Sequence, residues 1–282
     1  MEEIRVSSPK TTVELIDILA SFDGKYLMIA GCTDLLVDSR KKLNELELII
    51  DLSSIKEMSY IKLLDNTLVI GAMTTFTEIS ESSLVKDHAF CLAKAAGSIG
   101  SPQIRNRATI GGNIANGSAA ADSAPALLAL DAWVRYTDRA GNVYTVGFQD
   151  FQENHRGQMK EKRAFIECIG IPLKDGNGFS SFIKLGSRSE VSISKLSLAA
   201  AISLDDKDII RSFRLGMGSV GKTAVSVTAA EKLMEDRLLG DALIHELGVL
   251  LSKEIEELLK GRASMPYKKK AVIGLVQDLF NK

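Results

Sequence analysis

The stretch Arg105–Asp131, RNRATIGGNIANGSAAADSAPALLALD, restricts this chain more than any other. It opens on two cations, Arg105 and Arg107. Ile110, an apolar β-former, then leads into Gly111, Gly112 and Asn113. Ala115, Gly117, Ser118, Ala119, Ala120 and Ala121 keep the run poor in side chain as far as Asp122. Ser123 and Pro125 then mark a helix start running into Leu127, Leu128 and Leu130. Bare backbone lets a large flat partner lie close, and paired glycines allow consecutive N–H groups to form an anion-binding nest. On the residues alone two readings stand: a ligand loop, or a tight turn packed on a neighbouring helix. In the first reading a side chain at Gly111 crowds a phosphate and spares the fold.

A second glycine turn follows the apolar run Tyr26–Ala30, as Gly31-Cys32-Thr33-Asp34. A buried strand that delivers a glycine turn is a further candidate nest, although such turns are common. Around it, Thr11 and Glu14 have capping-box spacing ahead of a helix carrying Val13, Leu15, Ile16, Ile18 and Leu19. Leu48–Asp51 reads as a short strand, and Asp65-Asn66 joins Tyr60–Leu64 to Leu68–Ile70 as a hairpin. A helix is expected from about Thr77, and another over Ala89–Ala96 ending at Gly97. Trp133–Thr137 and Val143–Val146 flank a polar turn, and Ala164–Ile171 is a strand stopped by Pro172.

The polar, glycine-rich Lys174–Gly178 places a domain boundary near 175. Beyond it three strands are expected, Phe179–Leu185, Leu196–Leu204 and Ile209–Met217. Three helices follow: Thr228–Leu239, Ala242–Lys260 and Tyr267–Phe280. Strands and then helices make a segregated α+β domain.

Composition excludes several classes. A formal net charge of −1 argues against nucleic acid or an anionic membrane surface as partner. No apolar run reaches the roughly 18 residues a membrane span needs, and the acidic, polar start MEEIRVSSPK is unlike a signal peptide. Cys32, Cys91 and Cys168 lie 59 and 77 positions apart, which is neither a disulfide framework nor a metal-site spacing. The expectation is a cytoplasmic protein with no metal centre of its own.

Five segments, in order, resemble the FAD-binding (medium) subunit of the molybdenum hydroxylases. This family includes xanthine dehydrogenases and carbon monoxide dehydrogenases. Ala30-Gly31-Cys32-Thr33-Asp34-Leu35 resembles its first flavin loop, AGGTDL, and Ile70–Thr74 its IGA…T segment. Arg105–Asp122 resembles its second flavin loop, RNxxTIGGNxA…AD, which is the most specific of the five. Lys184–Ile193 is similar to the segment opening its C-terminal domain, and Tyr267-Lys268-Lys269-Lys270 to its closing helix.

The resemblance implies an α+β, two-domain FAD-binding fold of the vanillyl-alcohol-oxidase (PCMH) type. Residues 1–175 would form the FAD-binding domain, with subdomains at about 1–55 and 56–175. Residues 176–282 would form a three-stranded antiparallel sheet with a three-helix bundle. It further implies that Met28, Ile29, Ala30, Gly31, Cys32, Thr33, Asp34 and Leu35, with Thr109, Ile110, Gly111, Gly112 and Asn113, contact the cofactor. Asp122 would close the second loop near the ribose and phosphate. Ile99, Gly100, Ile166 and Lys184 would line the flavin, and a lysine there would stabilise the negatively charged reduced ring.

The implied activity is electron transfer through FAD in a multi-subunit enzyme, with xanthine dehydrogenase the expected context. Molybdopterin would sit in a large partner subunit, 2Fe–2S clusters in a small one, and NAD+ would be the acceptor, in a dimer of heterotrimers. Flavoprotein subunits of carbon monoxide, nicotine or aldehyde dehydrogenases are the alternatives. A stand-alone flavin enzyme or a scaffold without FAD affinity are further rivals. No residue is assigned as catalytic acid or base, and His88, His155 and His245 read as surface or structural.

The chain departs from the pattern at two places. Cys32 stands for the usual second glycine of the first loop, and Val191-Ser192 stands where an acidic residue is common.

Overall fold

The computed structural model describes residues 4–35, 45–174, 177–188 and 191–281. The boundary expected near 175 therefore falls outside the described residues, as do Ser189 and Glu190 of the Lys184–Ile193 segment.

The described residues build three sheets. The first is parallel and small, with β3 (Leu48–Asp51) between β1 (Arg5–Ser7) and β2 (Tyr26–Ile29). The strand β1 was not expected from the polar N-terminus. Between β1 and β2 runs helix α1 (Thr12–Ser21), whose Leu15 and Leu19 are fully buried. The capping-box spacing is half used. The Thr11 side chain accepts from the Glu14 N–H, while the Glu14 carboxylate accepts from Lys10 instead of Thr11.

The second sheet is antiparallel, in the order β4 (Ile61–Leu64), β5 (Thr67–Gly71), β8 (Phe165–Pro172), β6 (Trp133–Thr137), β7 (Val143–Gly147). Asp65 and Asn66 both have positive φ (43° and 60°), the backbone a two-residue hairpin needs. Between β5 and β6 the chain makes six short helices. They are α2 (Phe76–Glu81), α3 (Ser83–His88), α4 (Phe90–Gly97), α5 (Pro102–Arg105), α6 (Ile110–Asn116) and α7 (Ser123–Ala129). Every residue of α7 is buried, so this helix lies inside the molecule.

The third sheet is the antiparallel order β12 (Val225–Ser226), β11 (Ile210–Gly218), β10 (Leu196–Leu204), β9 (Asn177–Leu185). The three long strands are those expected. The two-residue β12 is an addition, too short for residue alternation to announce it. Helices α8 (Thr228–Met234), α9 (Asp241–Leu258) and α10 (Met265–Phe280) complete this part, with α8 ending five residues before the expected Leu239.

Two apolar cores result. One joins α1, the first two sheets, α2–α4, α6 and α7, and also takes in Phe182, Ala199 and Ala201 from the third sheet. The other lies between the opposite face of that sheet and α8–α10. Strands β9 and β10 are thus covered on both faces, which suits the apolar Leu196–Ile202 run.

Candidate functional site

Where β2 ends, Ala30–Thr33 form a half-buried loop and Asp34 is exposed. Gly31 lies against another segment: an ideal Cβ there would sit 2.0 Å from the Arg107 carbonyl oxygen and 3.0 Å from the Ala108 Cα. No side chain fits without separating the two loops, so glycine is required at this point. Cys32 has φ +59°, the left-handed region that disfavours a side chain. Its sulfur lies 3.7 Å from the Ala30 carbonyl oxygen. Burial, then the nearby Asp51 carboxylate, push the Cys32 thiol above the usual thiol range. Among the described residues, none of the N–H groups of Ala30–Asp34 meets an acceptor. A row of unpaired donors at a half-buried loop is a place for an anion.

The second glycine segment folds differently from expectation. Ile110 does not extend a strand; it is the first residue of α6, capped by Thr109, whose side chain accepts from Gly112 N–H at 3.2 Å. The other amides at this helix start are also engaged. Ile110 donates to Thr74 O at 3.1 Å, Gly111 to Ala72 O at 2.8 Å, and Asn113 to Thr109 O at 3.0 Å. The paired glycines therefore offer no consecutive free N–H groups. Gly111 is there for packing, since an ideal Cβ would lie 2.6 Å from Ala72 Cβ and 2.7 Å from Ala72 O. The expectation that a side chain at Gly111 spares the fold is corrected on this ground. Gly112 faces loop one, with Ala30 Cβ 3.6 Å from its ideal Cβ position. Asn116 also reaches loop one, donating its side-chain amide to the Asp34 carboxylate.

A third group of residues gathers at the far side of α6. Ser123 Oγ donates to Asn113 Oδ1 at 2.6 Å, which brings the neighbouring Asp122 beside the second loop. Asp122 and Lys184 form a buried pair, 6% and 11% exposed at their side chains, with Nζ 3.0 Å from Oδ2. Lys184 Nζ also donates to Ser98 O at 2.6 Å and to Ser192 O at 3.3 Å, and Ser194 Oγ donates to Asp122 Oδ1. Burial raises the Asp122 carboxyl above the usual carboxylate range, against the opposing pull of Lys184 and Ser194. Ser98 is followed by the half-buried Ile99 and by Gly100, which has φ +47°. Arg105 Nη1 donates to both of their carbonyls, at 3.1 Å each.

The structure thus brings the expected residues into one region with two ends. Ala30–Asp34 and Thr109–Asn113 make one end, and Ile99, Gly100, Asp122 and Lys184 make the other, joined through Asn113 and Ser123. Ile166, on β8, is buried beside the first end, because the next residue, Glu167, accepts from Ala72 N–H at 2.9 Å. Met28 packs onto the first core, Ile29 ends β2, and Leu35 is half-buried where the loop leaves the site.

The closing segment also converges here. Lys268 Nζ donates to Ser219 O at 2.6 Å, and Ser219 N–H donates to Ala119 O at 3.0 Å. The sequence offers no signal for Ser98 and Ser194, short polar residues without periodicity, and presents Ser123 only as a helix start and Ser192 only as a departure from the family pattern. For Arg105 a signal existed. Ser101-Pro102 is an N-cap followed by a first-turn proline, and it places Arg105 one turn on, over the residues before the cap.

The histidines fall outside this region. His155 bonds Tyr136 Oη at 2.8 Å and Asp150 at 3.1 Å, a structural arrangement. Among the described residues there is no group of three or more His, Cys, Asp or Glu that could hold a metal, and no helix long and apolar enough to cross a membrane.

The chain was compared with known proteins. The family described as "FAD binding domain in molybdopterin dehydrogenase" matches residues 2–174, and "CO dehydrogenase flavoprotein C-terminal domain" matches residues 181–282. The nicotinate dehydrogenase FAD-subunit of Eubacterium barkeri is 30% identical, over 99% of this chain and 96% of that protein. The xanthine dehydrogenase FAD-binding subunit of Escherichia coli O157:H7 is 29% identical, over 96% of this chain and 91% of its own length. Among solved structures, a carbon monoxide dehydrogenase from Hydrogenophaga pseudoflava superposes with a TM-score of 0.87 at 24% identity, covering 99% of this chain and 96% of that one. The last of these speaks to the fold alone.

Proposed function

The chain belongs to the family of FAD-binding medium subunits of the molybdenum hydroxylases, and from that premise we propose how its residues hold the cofactor and what it serves. The observation that carries the reading is the row of N–H groups from Ala30 to Asp34 that meet no acceptor among the described residues, beside Gly112, whose ideal Cβ lies 3.6 Å from Ala30 Cβ. That row receives the FAD diphosphate, where several backbone donors share two negative charges. Met28, Ile29 and Leu35 support the row, and Thr109–Asn113 form the opposite wall. Asn113 and Asp122 continue towards the ribose. Ile99 and Gly100 meet the flavin end, with Lys184 behind them as a fixed cation, while Ile166, expected with them, lies beside the Thr109–Asn113 wall. The residues suit the group chemically: backbone donors at Ala30–Asp34 would bind phosphate charge, and small or apolar surface at Ile99 and Gly100 would accept a ring system.

FAD exchanges electrons singly or in pairs, so a chain that holds it connects one-electron carriers to a two-electron acceptor. The protein's own part is to bind, orient and set the local charge; no side chain here is assigned a proton transfer. The proposed partners are a molybdopterin-binding large subunit and a small subunit with 2Fe–2S clusters, with NAD+ as acceptor, in a cytoplasmic dimer of heterotrimers. Residues 1–175 and 176–282 are proposed as the two domains, in keeping with the two matched segments.

The proposed context is xanthine dehydrogenase. A nicotinate dehydrogenase is a second reading, supported by the 30% identity over nearly the whole chain. Both named substrates are nitrogen heterocycles, so the shared proposal is a heterocycle hydroxylase. The test is to purify the complex that this chain forms with its partner subunits and add xanthine or nicotinate without an acceptor. Bleaching of the flavin band by one of them, reversed by NAD+, supports the reading. A flavin that neither compound reduces, in a complex loaded with all its cofactors, refutes both contexts.

A further inference from the structure

Three successive carbonyls, those of Ser98, Ile99 and Gly100, are all held by cations. Lys184 takes the first, from the third sheet, and Arg105 takes the second and third. The turn closes on itself. Gly100 adopts φ +47°, Ser101 caps α5, and the short helix folds back so that Ile104 covers Gly100, 2.9 Å from an ideal Cβ there. A side chain at residue 100 is thereby excluded on two grounds, backbone conformation and space. The Ser98 and Ile99 N–H groups point back to Ala95 O and Ala96 O, at 3.1 and 3.2 Å. Among the described residues neither the Gly100 nor the Ser101 N–H meets an acceptor, so the Gly100 amide, next to the two held carbonyls, is left for a ligand. Arg105 is half-buried and, among the described residues, forms no ion pair with a carboxylate. Its charge is directed entirely at backbone.

We propose that Arg105 is a positioning residue for the flavin: by holding the Ile99 and Gly100 carbonyls it fixes the left-handed turn that presents the Gly100 N–H to a flavin acceptor atom. This rests on the reading that Ile99 and Gly100 meet the flavin. Without the guanidinium, two half-buried carbonyls lose charge-assisted partners. The turn, whose held carbonyls lie five and six residues before their anchor, then samples other conformations. The ligand must order what the protein no longer orders, and affinity falls by that cost. Lysine at 105 keeps the charge but loses the planar fork, so it holds one carbonyl and not two.

The experiment uses the full chain, with Arg105→Met and Arg105→Lys, and FAD itself as probe. The readouts are the FAD dissociation constant from flavin fluorescence, the visible circular dichroism of the bound flavin, its midpoint potential and the thermal midpoint of the apoprotein. The expected result for Arg105→Met is a dissociation constant raised about tenfold, the order set by losing a pair of charge-assisted bonds. The circular dichroism band changes shape, the potential falls as the Gly100 donor is lost, and the apoprotein midpoint moves little. Arg105→Lys falls between the two. A purely structural role would move the thermal midpoint and leave the spectrum and potential of bound flavin as in wild type; that outcome overturns the proposal, as do wild-type values in every readout. Should Arg105→Met not fold, Arg105→Lys decides by the same criteria. A wild-type chain that takes up no FAD overturns the functional reading and this assignment together, whereas wild-type uptake with an unaffected variant overturns this assignment alone.

Discussion

Replacing Lys184 by methionine removes the cation from a pair whose two side chains are only 11% and 6% exposed. Asp122 is then a buried carboxylate whose strongest remaining partner is the Ser194 hydroxyl, and the Ser98 and Ser192 carbonyls lose the same donor. Breaking a buried, hydrogen-bonded pair from one side costs about 3–5 kcal/mol, most of it from the charge left behind. Lys184→Met should therefore destabilise the chain by that amount at neutral pH. Asp122→Asn in the same background should return about 1 kcal/mol or more, because the amide removes the orphaned charge.

Acid should act in the same direction as the second substitution. The Asp122 carboxyl is raised in the folded chain by burial, and it rises further without Lys184. The folded state then takes up a proton before the unfolded state does, so stability is lost as pH rises through the folded pKa and is regained below it. The deficit of Lys184→Met should shrink as pH is lowered from neutral towards the ordinary carboxylate range. Urea unfolding followed by far-ultraviolet circular dichroism, at neutral and mildly acid pH, measures all of this. A loss under about 1 kcal/mol, or an Asp122→Asn change that adds to the damage, would refute the argument, since an exposed pair contributes no more than that.

Three further predictions concern the glycine loops. Cys32→Gly relieves a left-handed side chain, about 1–2 kcal/mol, and loses part of this to unfolded-chain entropy. A net gain of roughly 1 kcal/mol in urea unfolding is expected, with FAD affinity equal to or better than wild type; a clear loss of either contradicts it. Gly111→Ala meets Ala72 Cβ at 2.6 Å and should cost about 1–3 kcal/mol. Gly112→Ala, with Thr109 Oγ1 at 3.0 Å and Ala30 Cβ at 3.6 Å, should cost less stability than Gly111→Ala and weaken FAD binding; the reverse pattern in melting and titration data would show the roles to be exchanged. The raised Cys32 thiol should react with iodoacetamide more slowly than a free thiol near neutral pH, faster as pH rises, and more slowly again with FAD present. Mass spectrometry of the labelled peptide checks this, and labelling indifferent to FAD would place the cofactor away from loop one.

The residues of the site were legible because each loop carries its chemistry locally. Gly31 and Gly111 announce close approach, and Asp65-Asn66 announces a hairpin whatever surrounds it. What could not be read was which neighbour each glycine approaches. Gly31 meets Arg107 and Gly111 meets Ala72, both distant in sequence, so the role of each amide is set by topology. For that reason the Gly111-Gly112 pair, one of the two candidate nests, has its donors engaged by Ala72 and Thr109, while among the described residues the Ala30–Asp34 amides meet no acceptor. Ile110 misled for a related reason. A β-branched residue favours a strand, yet the Thr109 cap and the Thr74 carbonyl make it the first residue of a helix. Lys184 stood out as a lysine on the strand opening the C-terminal segment, but its three acceptors come from three separate loops and left no trace in its own strand.

The central claim is that this chain holds FAD, with the diphosphate on the Ala30–Asp34 amides. The direct test is the visible spectrum of the purified chain after incubation with excess FAD and desalting, alongside Gly31→Ala, whose Cβ would meet the Arg107 carbonyl at 2.0 Å and part the two loops. Flavin bands close to one per wild-type chain, and their loss in a variant that remains folded, are the predicted result. A wild-type chain that stays colourless, or a folded Gly31→Ala that keeps its full flavin, would contradict it.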